Sequence, residues 1–385
     1  MSETIEQFAC HVPDEVIADL KARLRNTRFP DQIDGAGWDY GAELGYVRSL
    51  CAYWAERFDW RAAEARFNAF PQFTTEIDGE HVHFYHLVSP EPDALPLIIT
   101  HGYPGSVAEF LDVLGPLSDP ARYGGDRADA FHVVAPSIPG YGFSGPTRRR
   151  GFNMARAAEV NLRLMERLGY DRYVAQGGDW GAGISTAMAV RAPERVEALH
   201  LNLISGRPAD PDDPLAGLSE EEVAQVAWKK TYDANESGYQ LIQATKPQSL
   251  AYGLTDSPAG LAAWIVEKFT TWSDCDGDVE RAFTKDQLLE NIMLYWVTGT
   301  INSAMRMYYE SMGPGRMAGL ATGRVETPTA HARFPAEIRP TPRPWAEQAY
   351  NIVRWTRMPK GGHFAAFEQP DLFLDDVRSF FRDFR

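Results

Sequence analysis

Asp179 stands in Gly177-Gly-Asp-Trp-Gly181, between a short apolar run of strand type at residues 172–176 and an Ala-rich, helix-forming run at 184–190. Small residues on both sides let the chain turn tightly and let a helix pack close to the strand. This is the setting of a nucleophile elbow, Gly-x-Nuc-x-Gly, which holds one side chain up out of a strained turn. Ser is the usual occupant, but a carboxylate there can also attack carbon and form an enzyme ester. The same pattern would suit a Gly-rich turn with an Asp helix cap, so the chemistry needs partners. His101-Gly-Tyr-Pro-Gly-Ser106 follows an early buried run at 96–100, and backbone N–H groups in such a loop can stabilise an oxyanion. His363 lies in Lys360-Gly-Gly-His-Phe-Ala-Ala-Phe-Glu368, just after the last strand-type run, where an imidazole could act as base. Glu337, in Phe334-Pro-Ala-Glu-Ile338, follows the preceding run and could fix the imidazole tautomer; Glu347 and Glu368 compete for that role. Ser106 and Ser144 lack an elbow.

The elements that must carry these residues follow from periodicity. Residues 1–75 read as helical and aromatic-rich, with stripes at Val16, Ile17, Leu20 and Leu24 and at Leu44, Val47, Leu50, Cys51 and Trp54. A hairpin turn at Ile77-Asp-Gly-Glu80 leads into a strand at 81–88. Further strands are expected at 96–100, 131–136, 172–176, 196–204, 329–334 and 352–358, and helices at 154–168 and 371–384. Strands alternating with helices imply a mostly parallel sheet covered on both faces. A Pro/Asp linker at 206–214 breaks the pattern. Residues 218–312 read as almost all helix, with Leu261, Trp264, Ile265 and Phe269 on one stripe, and 313–323 is a Gly-rich return. The expected units are a helical extension (1–75), a first core part (76–205), a helical cap (206–324) and a second core part (325–385).

Composition narrows the function classes. A net charge of −15 argues against nucleic acid and against an anionic membrane face. Basic residues are 31 Arg and 7 Lys, which hints at a GC-rich bacterial genome. Cys10, Cys51 and Cys275 show no CxxC spacing, so a disulfide framework and a zinc site are both disfavoured and reducing cytoplasm is expected. His81 and His83 would share a strand face, but without further ligands at suitable spacing no metal is expected. The acidic N-terminus shows no signal peptide, and no run of ~18 apolar residues suggests a transmembrane helix.

The chain order nucleophile, acid, histidine is that of the α/β-hydrolases. The whole chain closely resembles the microsomal-type epoxide hydrolases. The resemblance rests on Phe70-Pro-Gln-Phe, His101-Gly-Tyr-Pro-Gly-Ser and Gly177-Gly-Asp-Trp-Gly. It also rests on Gly238-Tyr-Gln-Leu-Ile-Gln-Ala-Thr-Lys-Pro, the run from Asp256 to Phe269, Met305-Arg-Met-Tyr, Phe334-Pro-Ala-Glu and Gly361-Gly-His-Phe-Ala-Ala, all in order. It implies an α/β-hydrolase fold with a helical cap and a helical N-terminal extension. It implies Asp179 as nucleophile, His363 as base and Glu337 as its partner. Tyr239 and Tyr308 would be donors to the epoxide oxygen, with Tyr309 as the alternative one register on. The backbone N–H groups of Tyr103 and Trp180 would form the oxyanion hole. Tyr103 stands where the family often has Trp, which changes the wall of the site. The membrane anchor of mammalian members is absent, which suggests a soluble bacterial relative. The reactants would be a small-molecule epoxide and water, with no metal or organic cofactor. Trp180, Trp264, Trp272 and Trp296 could wall a site for an aryl or extended polyketide-like epoxide. A haloalkane dehalogenase and a non-catalytic ligand-binding protein on the same fold are the alternatives. A homodimer is an expectation with no residue behind it.

Overall fold

The structure, a computed structural model, describes residues 4–314 and 323–385. Most of the Gly-rich return expected at 313–323 lies outside these described residues, as do the first three residues of the acidic N-terminus. Among the described residues nine strands make one sheet: β1 (Glu6–Phe8), β2 (Gln72–Ile77), β3 (Glu80–Leu87), β4 (Leu95–Thr100), β5 (Phe131–Pro136), β6 (Tyr173–Gly177), β7 (Val196–Leu201), β8 (Val325–Arg333) and β9 (Tyr350–Arg357). Their order is β1-β2-β3-β5-β4-β6-β7-β8-β9. Pairs from β1 to β5 through β3 are antiparallel, and all pairs from β5 to β9 are parallel. The central strands read as continuous apolar runs because helices cover both faces, and Leu97, Ile98, Val133, Val134, Val174 and Ala175 are fully buried. The β2–β3 hairpin turns on Asp78 and Gly79, at φ 54° and 83°, so both central residues are left-handed as a tight hairpin of this twist requires.

The N-terminal extension is not purely helical. Its β1 pairs with β2 at the sheet edge, and β2 itself begins at Gln72. Three residues carry no readable alternation, so only the pairing reveals β1. The rest of the extension is α1 (Asp14–Arg25), α2 (Leu44–Glu56) and α3 (Trp60–Phe67). Glu43 caps α2 by accepting from the Gly45 and Tyr46 N–H groups, and the stripe Val47, Leu50, Cys51 and Trp54 is buried. Helices α4 (Leu111–Ser118), α5 (Met154–Arg167) and α6 (Asp179–Arg191) cover the sheet.

Between β7 and β8 the chain leaves the sheet for six helices among the described residues. They are α7 (Glu220–Asn235), α8 (Gly238–Thr245), α9 (Pro247–Asp256), α10 (Pro258–Thr271), α11 (Lys285–Thr298) and α12 (Ile301–Met312). A capping box of Thr284 and Gln287 starts α11, and Gly299 at φ 63° ends it. The chain closes through α13 (Arg343–Ala349), α14 (Ala365–Glu368) and α15 (Pro370–Phe381).

Candidate active site

The parallel strands end on one edge, and the site is assembled there. Strand β6 stops at Gly177, and α6 starts two residues later with Asp179 at φ 48°. An L-residue holds that conformation only when its surroundings enforce it. They do so through close backbone approach. A Cβ on Gly181 would lie 1.8 Å from the Thr100 carbonyl oxygen, and one on Gly178 would lie 2.5 Å from Asn202 Nδ2. The Asp179 carboxylate is thereby lifted toward the loop after β4, where the Tyr103 N–H donates to Oδ1 at 2.7 Å. The Trp180 N–H is a first-turn amide that no preceding carbonyl within the helix can reach.

The loops after β8 and β9 are tied together by a bridge between Ala336 and Gly362. This brings Glu337 to His363, whose Nδ1–H donates to Oε1 at 2.9 Å and Oε2 at 3.1 Å. His363 Nε2 lies 3.5 Å from Asp179 Oδ2, an ion-pair separation without hydrogen-bond geometry. Burial opposes the charged imidazole, but the negative charges of Glu337 and Asp179 outweigh it and hold its pKa well above the ordinary value. The other two carboxylates are elsewhere. Glu347 pairs with Arg343 on α13. Glu368 accepts from the Phe364 and Asp274 backbone N–H groups, both at 2.9 Å, and so braces the His363 loop.

The helices between β7 and β8 bring two tyrosines over this cluster. Tyr308 of α12 is buried, its ring edge-on to Trp180 at 4.8 Å, to Tyr103 at 5.3 Å and to Tyr239 of α8 at 5.9 Å. Burial, reinforced by the charge of Asp179, holds both phenols above their ordinary pKa, so both remain proton donors at neutral pH. Tyr309 is half-buried, and it is Tyr308 that packs on Trp180 and Tyr239. Trp272 lies 5.1 Å from both Tyr239 and His363. Trp296 is elsewhere, beneath the Arg23 guanidinium.

Several residues that hold the loop after β4 were not singled out from the sequence. On α11, Asn291 donates to the Pro104 carbonyl at 2.8 Å and accepts from Ser106 Oγ at 2.7 Å, while Tyr295 OH donates to the Gly105 carbonyl at 2.7 Å. Trp264 Nε1 donates to Tyr103 OH at 2.6 Å. Asn291 and Tyr295 sit one turn apart within the run Leu288–Val297, where Glu290 is the other polar residue, and that spacing was the available signal. Burial pushes the His101 imidazole down to about 4, so it is neutral. It donates from Nδ1 to the Gly102 carbonyl and accepts from the Ile138 N–H at Nε2, which anchors the loop base. Ser106 is bound to Asn291, and Ser144 donates to the Ser137 carbonyl. His83 is buried between Gln72 and Ser137, while His81 meets Glu76 at the surface.

A family model described as epoxide hydrolase N terminus matches residues 5–110, and one described as alpha/beta hydrolase fold matches residues 96–237. A Stigmatella aurantiaca protein assigned by name to the epoxide hydrolases is 44% identical over 382 residues, which span 99% of this chain and 86% of that protein. Epoxide hydrolase 1 of Sus scrofa is 39% identical over 405 residues, spanning 98% of this chain and 88% of that protein. The chain belongs to the microsomal-type epoxide hydrolase family. Its fold is that of the α/β-hydrolases. The crystal structure of juvenile hormone epoxide hydrolase from the silkworm Bombyx mori matches this epoxide hydrolase with a TM-score of 0.91 at 34% identity, covering 99% of this chain and 95% of that one. The Aspergillus niger epoxide hydrolase matches with a TM-score of 0.88 at 32% identity, covering 99% and 96%. Among the described residues, no helix of this epoxide hydrolase is long and apolar enough to cross a membrane.

Proposed function

We propose that this epoxide hydrolase opens an epoxide to a vicinal diol in two steps, with Asp179 as a covalent nucleophile. One observation carries the reading. A carboxylate at the elbow faces a Glu337-paired histidine on one side and two buried phenols on the other. An epoxide is strained but has a poor leaving group, so it needs a nucleophile and a proton donor at once. The Tyr103 N–H holds Oδ1 of Asp179, which leaves Oδ2 to attack a ring carbon in line with the breaking C–O bond. Tyr239 and Tyr308 receive the developing alkoxide, and the proton they pass to it is restored from the His363 imidazolium.

Ester formation also switches the base on. It removes the charge of Asp179, one of the two charges that keep His363 protonated. The neutral imidazole then takes a proton from water, and that water attacks the ester carbonyl. The resulting oxyanion develops on Oδ1, where the Tyr103 and Trp180 N–H groups stabilise it. Collapse releases the diol and returns the carboxylate and the imidazolium. Helices α7 to α12 act as the cap over a core of residues 76–205 and 325–385, with 1–75 as the extension. Three buried, unbridged cysteines are in keeping with a reducing cytoplasm. A haloalkane dehalogenase is the weaker reading, because a halide leaves without a proton and gives the paired phenols no task.

A single turnover in heavy-oxygen water tests the scheme. Ordinary oxygen in the first diol and heavy oxygen in Asp179 are expected. Heavy oxygen in that first diol would mean direct attack by water. In His363→Gln the ester should accumulate as a covalent adduct seen by intact-protein mass. Trp180, Trp272 and Trp264 frame the substrate side with broad apolar faces, which favours a bulky aryl or extended epoxide. A kcat/KM for a short aliphatic epoxide equal to or above that for styrene oxide would count against that preference.

A further inference from the structure

We propose that Glu109 holds the hydrolytic water against the Asp179 ester and so governs the second step rather than the first; this rests on the two-step reading above. Glu109 lies in the 3-10 turn Val107–Phe110, directly after the oxyanion loop. Its carboxyl group is turned back beneath that loop, into space that exists only because residue 105 is glycine. A Cβ on Gly105 would come within 1.6 Å of Glu109 Oε1. There it borders a cavity of about 20 Å³ shared with Gly102, Gln176, Asp179, Asn202 and His363. Phe110, Phe364 and Phe373 are also in its wall, and a cavity of this volume with polar groups on one side suits one water, which needs roughly 10–15 Å³ and two to four polar partners.

The partners stand ready. Glu109 Oε1, Gln176 Oε1 and His363 Nε2 are buried, and none has a hydrogen-bond partner among the described residues. Three such atoms on one small cavity would be costly unless a shared water, donor and acceptor at once, served them. A water there can direct one hydrogen at His363 Nε2 and the other at Glu109 Oε1, which leaves its lone pair for the ester carbon of Asp179. The nucleophile Oδ2 and the phenols do not depend on Glu109, so ring opening is spared. Burial, against the opposing charge of His363, raises the Glu109 carboxyl to about 8. Near neutral pH it is therefore largely uncharged. It then keeps a carbonyl acceptor without drawing the imidazolium away from Asp179.

The test separates the two steps with styrene oxide, rapid quenching and intact-protein mass. Glu109→Leu keeps the volume and removes both oxygens. Its ester should form within about threefold of the wild-type rate but hydrolyse about 10- to 100-fold more slowly, so that the adduct builds up. Glu109→Gln, which restores an acceptor of the same shape, should recover most of the hydrolysis rate. Equal slowing of both steps, wild-type hydrolysis in the Leu variant, or a Gln variant as slow as the Leu one would each overturn the assignment. Absence of an adduct in these variants and in His363→Gln alike would instead remove the two-step reading on which it stands.

Discussion

Removing the Tyr308 hydroxyl alone tests whether the site was built for an oxygen leaving group. In Tyr308→Phe the ring keeps its edge contacts with Trp180, Tyr103 and Tyr239, at 4.8, 5.3 and 5.9 Å, so only the donor is lost. A hydrogen bond to a charged group contributes about 1.5–3 kcal/mol, and each 1.36 kcal/mol is a factor of ten in rate. Ring opening should therefore slow by about 10- to 150-fold. The double variant with Tyr239→Phe should slow by about 10²- to 10⁴-fold if the two donors act independently. Ester hydrolysis should hold its wild-type rate, because its charge develops on Asp179 Oδ1, which the Tyr103 N–H already holds. Stopped-flow fluorescence can follow the alkylation, since Trp180 adjoins both the nucleophile and Tyr308. Rapid-quench mass gives the hydrolysis rate independently. Hydrolysis slowed as much as alkylation, or alkylation unchanged in the double variant, would refute the role of the phenols and revive the dehalogenase reading.

Asn291→Ala should cost about 2–4 kcal/mol, because it leaves the Pro104 carbonyl and the Ser106 hydroxyl buried without their partner. It should slow both chemical steps as well, since the loop that aims the Tyr103 N–H loosens; an unchanged melting temperature would show that α11 does not hold that loop. At the far side of the sheet, burial would raise the Asp376 carboxyl, but hydrogen bonds from His200 at 3.0 Å and Thr356 at 2.8 Å, with Arg354 at 2.7 Å, hold it down at about 2. A folded-state value below the ordinary 3.8 means that this stabilisation is present above pH 3.8 and is lost as pH falls toward about 2. Asp376→Asn should cost about 3–5 kcal/mol at neutral pH and flatten the acid limb of stability. Urea midpoints measured from pH 7 down to about 2 check both, and an acid limb as steep as wild type would count against the pairing.

The candidate site residues were legible where their requirements are local. An elbow needs glycine on both sides of its apex, because Gly178 and Gly181 face Asn202 and the Thr100 carbonyl with no room for a side chain. The local pattern therefore marked Asp179 as a candidate, and the loops bearing Glu337 and His363 separated it from a helix cap. His363 and Glu337 follow the last two strands, and strand periodicity located both loops before any pairing was known. Tyr239 and Tyr308 are different. They are two of 16 tyrosines, and only the resemblance to a family singled them out.

What the sequence determined by itself was the alternation of strands and helices, the apex residue and the loops bearing its partners, since each depends on neighbours a few residues away. Tertiary structure alone decided which carboxylate reaches His363, that β1 completes the sheet edge, and that α11 clamps the loop after β4. Asn291 and Tyr295 meet that loop across 187 and 190 residues of chain, and Trp264 across 161. A polar side chain in a helix can face water or a carbonyl with equal local propriety. Which of the two it meets is settled by packing, and packing between such distant segments leaves no periodic trace in either one.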